Sequence, residues 1–142
     1  MIYGALMSRI LIFDAYPSIR EFPADELSAE GNTVVPIGNP DLIPHLIVAF
    51  RPDLLIMDPY LRGTMKWELF DSARAQNPQL PILLFTEWSA PDPHFCQAEA
   101  RLPKSYILDR LSQKIKEIMG KRLPGKSRGK DVSAWGAKRA VL

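Results

Sequence analysis

The chain has 142 residues, 46% of them hydrophobic and 24% charged, which suits one domain with a buried core. Residues 121–142 hold seven basic groups against Asp131, a net of +6, while residues 1–120 hold eleven basic and fifteen acidic groups, a net of −4. A single cysteine, Cys96, excludes an internal disulfide and a zinc site built on cysteine pairs, and no apolar run approaches the roughly 20 residues of a membrane helix.

The opening segment, residues 1–8, reads as an N-terminal extension: "MIYGALMS" lacks the charged and long apolar regions of a signal peptide, and Met7 is as good a start as Met1. A reducing, cytoplasmic setting fits the lone cysteine. The first strand is "RILIF", residues 9–13, ending at Asp14. "PSIREFPADELSAEG" then has helical spacing and closes on Gly31, a C-terminal cap. Pro23 interrupts that helix at a cost of about 3 kcal/mol, so a break and a restart near Ala24 are expected.

"TVVPI", residues 33–37, is the second strand. In "DLIPHLIVAF" the apolar residues Leu42, Leu46, Ile47 and Phe50 share one face, and Pro44 is tolerated if the helix starts near Asp41 or Leu42. "DLLIM", residues 53–57, is the third strand and runs into Asp58. "TMKWELFDSARAQNP" makes the next helix, with Met65, Leu69, Phe70 and Ala73 inward and a stop at Asn77 and Pro78.

"PILLF", residues 81–85, precedes Thr86, and "ARLP", residues 100–103, precedes Lys104. Pro91 and Pro93 leave little room for a helix between them. "SYILDRLSQKIKEIMG" closes the domain near residue 120, with a stripe of Ile107, Leu111, Ile115 and Ile118 and Ser105 as cap. Residues 121–142 lose the periodicity and read as a flexible basic tail, whose contact with nucleic acid would be weak and nonspecific. Cys96 reads as a small packing residue, and His45 and His94 as structural or solvated.

Strands that are apolar at every position are covered on both faces, which points to a parallel sheet with helices on both sides and right-handed crossovers. In such a doubly wound sheet the functional groups gather at the carboxyl ends of the strands. Those ends carry Asp14, Asp58, Thr86 and Lys104. Two carboxylates, a hydroxyl and an ammonium suit phosphoryl transfer, which needs a nucleophile and neutralisation of spread negative charge. No Gly-rich phosphate loop or dinucleotide fingerprint is present.

"RILIFDAYPSIR", "GNTVVPIGNPDLIPHLIVAFRPDLLIMDPYLRG", "PILLFT" and "LPK" resemble the receiver domain of two-component response regulators, over residues 9–120. The resemblance implies a CheY-like, five-stranded sheet of order 2-1-3-4-5, with the fourth helix short or missing. It implies a stand-alone signalling domain rather than an enzyme, beyond its own phosphorylation and dephosphorylation. Asp58 would be the phosphoacceptor, Thr86 and Lys104 its partners, and Asp14, Asp58 and the Tyr60 backbone carbonyl the ligands of Mg2+. The implied partners are a histidine kinase or phosphotransfer protein and a downstream protein, without membrane insertion.

Several positions depart from that pattern. Ala15 replaces a second acid that ligates Mg2+, which weakens the site. Glu87 replaces a small residue; it supplies an oxygen to the metal, obstructs access to Asp58 or stands in solvent. Arg101 takes the place of an aromatic switch residue, and Ser105 that of a proline. The alternative is therefore a degenerate receiver that binds protein without being phosphorylated. "IFDAYPS" also resembles the opening motif of haloacid-dehalogenase-like hydrolases, with Asp14 as nucleophile, but no later acidic metal motif follows and Asp58 is left unexplained.

Overall fold

A computed structural model of the chain describes residues 8–104 and 108–121. The expectations for Ser105, Ile107, residues 1–7 and the tail from residue 122 lie outside the described residues.

Five strands form one parallel sheet. β1 (Arg9–Phe13) is followed by α1 (Pro17–Ala29), β2 (Thr33–Ile37), α2 (Leu42–Phe50) and β3 (Leu54–Met57). A two-stranded hairpin, β4 (Tyr60–Leu61) and β5 (Thr64–Met65), leads to α3 (Trp67–Gln76) and β6 (Ile82–Phe85). A 3-10 helix (Pro93–Gln97), β7 (Ala100–Leu102) and α4 (Leu108–Gly120) are the last elements among the described residues. The sheet order is β2-β1-β3-β6-β7, which is the 2-1-3-4-5 pattern with the hairpin strands left out.

The continuous apolar runs are explained by alternation between two cores. Leu11 and Phe13 of β1 face a cluster with Ile43, Phe50, Phe70 and Ala73 from α2 and α3. Ile10 and Ile12 face a second cluster with Ala24 and Leu27 of α1 and Leu111, Ile115 and Ile118 of α4. Successive side chains point to opposite faces, so every position of a strand covered on both sides must be apolar.

The helix boundaries follow local chemistry. After α1, Gly31 adopts φ +99°, its amide donates to the Ser28 carbonyl and Asn32 donates to that of Leu27, a closing pattern that needs a left-handed residue. Pro44 falls in the first turn of α2, where its missing amide costs nothing. The break expected at Pro23 does not occur: α1 is continuous from residue 17 to 29. Pro23 forfeits only its own hydrogen bond, and its ring is buried beside Ala24 and Leu27, so packing offsets the loss.

Two features escape a reading of the pattern. In the hairpin, Arg62 (φ +50°) and Gly63 (φ +81°) form a two-residue turn with both central residues left-handed, the geometry that matches the twist of the flanking strands. Cys96 is exposed rather than packed, on a five-residue 3-10 helix that buries none of its residues.

That 3-10 helix stands where a full fourth helix is absent, as expected from its prolines. His94 ties it to α3. The ring stacks on Trp67 with centroids 4.4 Å apart and planes 2° from parallel, and its nitrogens meet Asp92 at 2.5 Å and Asp71 at 3.0 Å. Phe95 packs edge-on against Trp67, while the Arg101 guanidinium lies 4.2 Å over the Phe95 ring. His94→Ala is expected to lower the stability by about 1 to 2 kcal/mol through loss of ring stacking, read as a lower urea midpoint with an unchanged slope.

Candidate functional site

Parallel register sets the site. Phe13 pairs with Met57, so Asp14 and Asp58 emerge side by side, and Met57 pairs with Leu84, so Thr86 follows one residue further along β6. The Asp58 amide donates to the Phe13 carbonyl (3.2 Å), the Asp14 amide to that of Ile37 (3.3 Å) and the Thr86 amide to that of Leu102 (2.9 Å). The three backbones are thereby held at one edge of the sheet.

Each of these side chains also closes a short turn on itself. Asp14 Oδ1 accepts from the Tyr16 amide at 3.0 Å, Asp58 Oδ1 from the Tyr60 amide at 3.0 Å, and Thr86 Oγ1 from the Trp88 amide at 3.1 Å. Such turns fix the carboxylates without recruiting another element. The residue two positions on is aromatic in all three cases, and the rings of Tyr60 and Trp88 meet with centroids 5.7 Å apart.

Lys104 joins the two acids. Its Nζ lies 2.6 Å from Asp14 Oδ2 and 2.5 Å from Asp58 Oδ2. Asp14 is 3% exposed and Asp58 5%, so the two carboxylates are buried and share a half-buried ammonium rather than forming a surface ion pair. Two carboxylates and one ammonium leave a net negative charge in the pocket. Burial pushes the Asp14 carboxyl above its usual range, and the contacts with Lys104 and the Tyr16 amide only partly offset this. Burial also works against the Lys104 ammonium, but the two carboxylates outweigh it and hold the lysine above its usual value. Only the Lys104 shift has the sign of the ion pair; at Asp14 burial outweighs it, because one ammonium is shared between two carboxylates.

The structure thus brings Asp14, Asp58 and Lys104 into direct contact, with Thr86 buried at the same sheet edge. Glu87 follows Thr86 in the chain and is exposed. Among the described residues no group of three or more His, Cys, Asp or Glu side chains is placed to hold a metal ion, so Glu87 does not complete a three-carboxylate set with Asp14 and Asp58. Sequence reasoning passes over Arg20, whose Nη1 donates to the Asp14 carbonyl at 3.0 Å. The only signal for it is a basic residue in the first turn of the helix that follows Asp14.

No family sequence model matches the chain, and no curated protein matches it. Solved structures do. The response regulator protein TrrA from Thermotoga maritima, in complex with Mg2+-BeF, is 29% identical over 79% of this chain and 99% of its own, with a TM-score of 0.70. A CheY-like response regulator receiver domain protein from Methanospirillum hungatei (23% identity, 81% and 95% covered, TM-score 0.73) and the chemotaxis protein CheY4 of Vibrio cholerae (22%, 79% and 98%, 0.69) superpose as well. With its 2-1-3-4-5 sheet and its acids at the carboxyl edge, the chain has the CheY-like fold of response regulator receiver domains over about four-fifths of its length.

Proposed function

We propose that the chain is a phosphoacceptor in two-component signalling, with Asp58 receiving the phosphoryl group. The observation that carries this reading is the Lys104 ammonium, held within 2.6 Å of both Asp14 and Asp58 in a buried pocket at the carboxyl edge of the sheet. The donor is a phosphohistidine on a kinase or phosphotransfer protein. An oxygen of Asp58 attacks phosphorus, the P–N bond breaks as the P–O bond forms, and the leaving imidazole takes up a proton.

The roles of the other residues follow from their contacts. Lys104 exchanges its contact with the Asp58 carboxylate for one with a phosphoryl oxygen, so the charge is neutralised by a group already in place. Thr86 Oγ1 accepts the Trp88 amide, which leaves its hydrogen free to donate to another phosphoryl oxygen. The Tyr60 ring, in the hairpin, meets the Trp88 ring two residues beyond Thr86.

Asp14, Asp58 and the Tyr60 carbonyl are hard oxygen donors and would hold Mg2+, with water filling the place left by Ala15. When bound, the ion neutralises charge on the transferred group. Output passes through a protein partner. The remodelled face at the 3-10 helix and Ala15 favour the second reading, a receiver-like module that binds its partner without being phosphorylated.

Incubating the purified protein with Mg2+ and a small-molecule phosphodonor distinguishes the two. Intact mass is expected to show one acid-labile phosphoryl adduct, lost completely in Asp58→Asn. An equal adduct in Asp58→Asn, or none under conditions that label an ordinary receiver, would sink the first reading.

A further inference from the structure

Arg20 lies in the first turn of α1, and its guanidinium turns back toward the pocket. Nη1 donates to the Asp14 carbonyl at 3.0 Å and reaches the Ala15 carbonyl at 3.4 Å. The side chain is 19% exposed, and the Glu21 carboxylate stands 3.8 Å from its Nε. The two hydrogen bonds of Nη1 therefore go to the backbone of the turn between β1 and α1.

Gly38, the residue after β2, makes the seat. A Cβ at that position would lie 2.6 Å from Arg20 Nη1, 2.8 Å from Cζ and 3.0 Å from Nη2. Contact this close with three atoms of a planar group forces the group to move, so the guanidinium rests there only because residue 38 has no side chain. One side chain thus links the ends of β1 and β2 with the start of α1.

The turn that Arg20 holds is the one that orients Asp14. Oδ1 of Asp14 accepts from the Tyr16 amide, and that amide belongs to the same peptide as the Ala15 carbonyl. Rotation of this peptide would carry the N–H away from Oδ1 and swing the carboxylate off Lys104. Ala15 has no polar side chain with which to resist that rotation. We infer that Arg20, seated on Gly38, is a positioning residue that acts through the Asp14 and Ala15 carbonyls to keep the Asp14 carboxylate in register with Lys104 and Asp58. The inference deepens the proposed function and rests on it, because a cation or phosphoryl group in the pocket would meet Asp14 in the place that Arg20 sets.

The test is amide hydrogen exchange by NMR on the full chain without metal. Wild type is compared with Arg20→Gln, Gly38→Ala, the double variant and Arg20→Lys, which keeps charge and stem. Tyr16 is expected to lose protection by about tenfold in each of the first two, while Ile10 and Leu11 in the sheet stay within about twofold. Both substitutions break one contact, so the double variant should fall no further than either single one. Arg20→Lys should lie between wild type and Arg20→Gln, since one ammonium does not serve both carbonyls in the plane of a guanidinium.

Unchanged Tyr16 protection in Arg20→Gln and Arg20→Lys, equal loss at every amide or additive losses in the double variant would each overturn the inference. A Mg2+ titration followed at the Tyr60 amide separates it from the functional reading. Saturable binding that weakens by about tenfold in Arg20→Gln supports both, as the outer partner of a ligand typically contributes that much. Saturable binding of equal affinity in wild type and Arg20→Gln counts against the inference, and no response in wild type counts against the metal site alone, with the Tyr16 exchange still deciding the role of Arg20.

Discussion

Ala15→Asp is expected to tighten Mg2+ binding by about 10- to 100-fold, the largest gain available from one substitution in the pocket. The residue sits beside Asp14, and Asp14 and Asp58 are the two buried carboxylates of the site, so a third acid would add an oxygen donor next to them. The same change carries a cost without metal. The pocket already holds one uncompensated negative charge, and a second lowers the stability of the metal-free variant. Fluorescence of Trp88, whose amide is bound to Thr86 and whose ring meets Tyr60, follows the titration, with Trp88→Phe as the control. Equal midpoints for the variant and wild type would show that the second acid is not what limits the site.

Lys104→Met is expected to destabilise the protein by about 3 kcal/mol near neutral pH, because it removes the shared partner of two buried carboxylates and leaves both unpaired. The pH dependence identifies the cause. In wild type the lysine is held above its usual value of 10.5, so its contribution is complete below that value and is lost as the pH rises through the raised one. Asp14 is raised from 3.8, so its charged form opposes folding, and stability falls as the pH climbs through the window above 3.8. Without Lys104 the pull that lowers Asp14 is gone and that window extends upward. The deficit of Lys104→Met relative to wild type should therefore shrink between pH 7.5 and pH 5, measured by urea unfolding. A deficit independent of pH would assign the loss to packing.

Much of the fold is legible in the order of residues. Uninterrupted apolar runs of four or five residues, separated by helical segments, leave a two-sided parallel sheet as the consistent answer, and the strand ends then pick out Asp14, Asp58, Thr86 and Lys104. Proline content exposes the missing fourth helix in the same way. These inferences succeed because period and backbone chemistry are local properties.

Other features are not local. The continuity of α1 through Pro23 depends on what the ring packs against, and the exposure of Cys96 on how little a 3-10 turn buries. The hairpin after β3 is too short to show a period, and its Arg62 occupies a backbone region that side chains seldom adopt. Glu87, adjacent in sequence to Thr86, stands exposed, while Lys104, far beyond it in the chain, reaches both acids.

The amino-acid order alone therefore determines that carboxylates follow two buried parallel strands and that a hydroxyl and an ammonium follow two others. Only the tertiary structure decides that Lys104 rests on both carboxylates at once and that the guanidinium of Arg20 finds the bare backbone of Gly38. The reason is physical: the side-by-side pairing of β1 with β2 and with β3 sets distances of a few ångströms between residues far apart in the chain, and spacing along one segment carries no record of them.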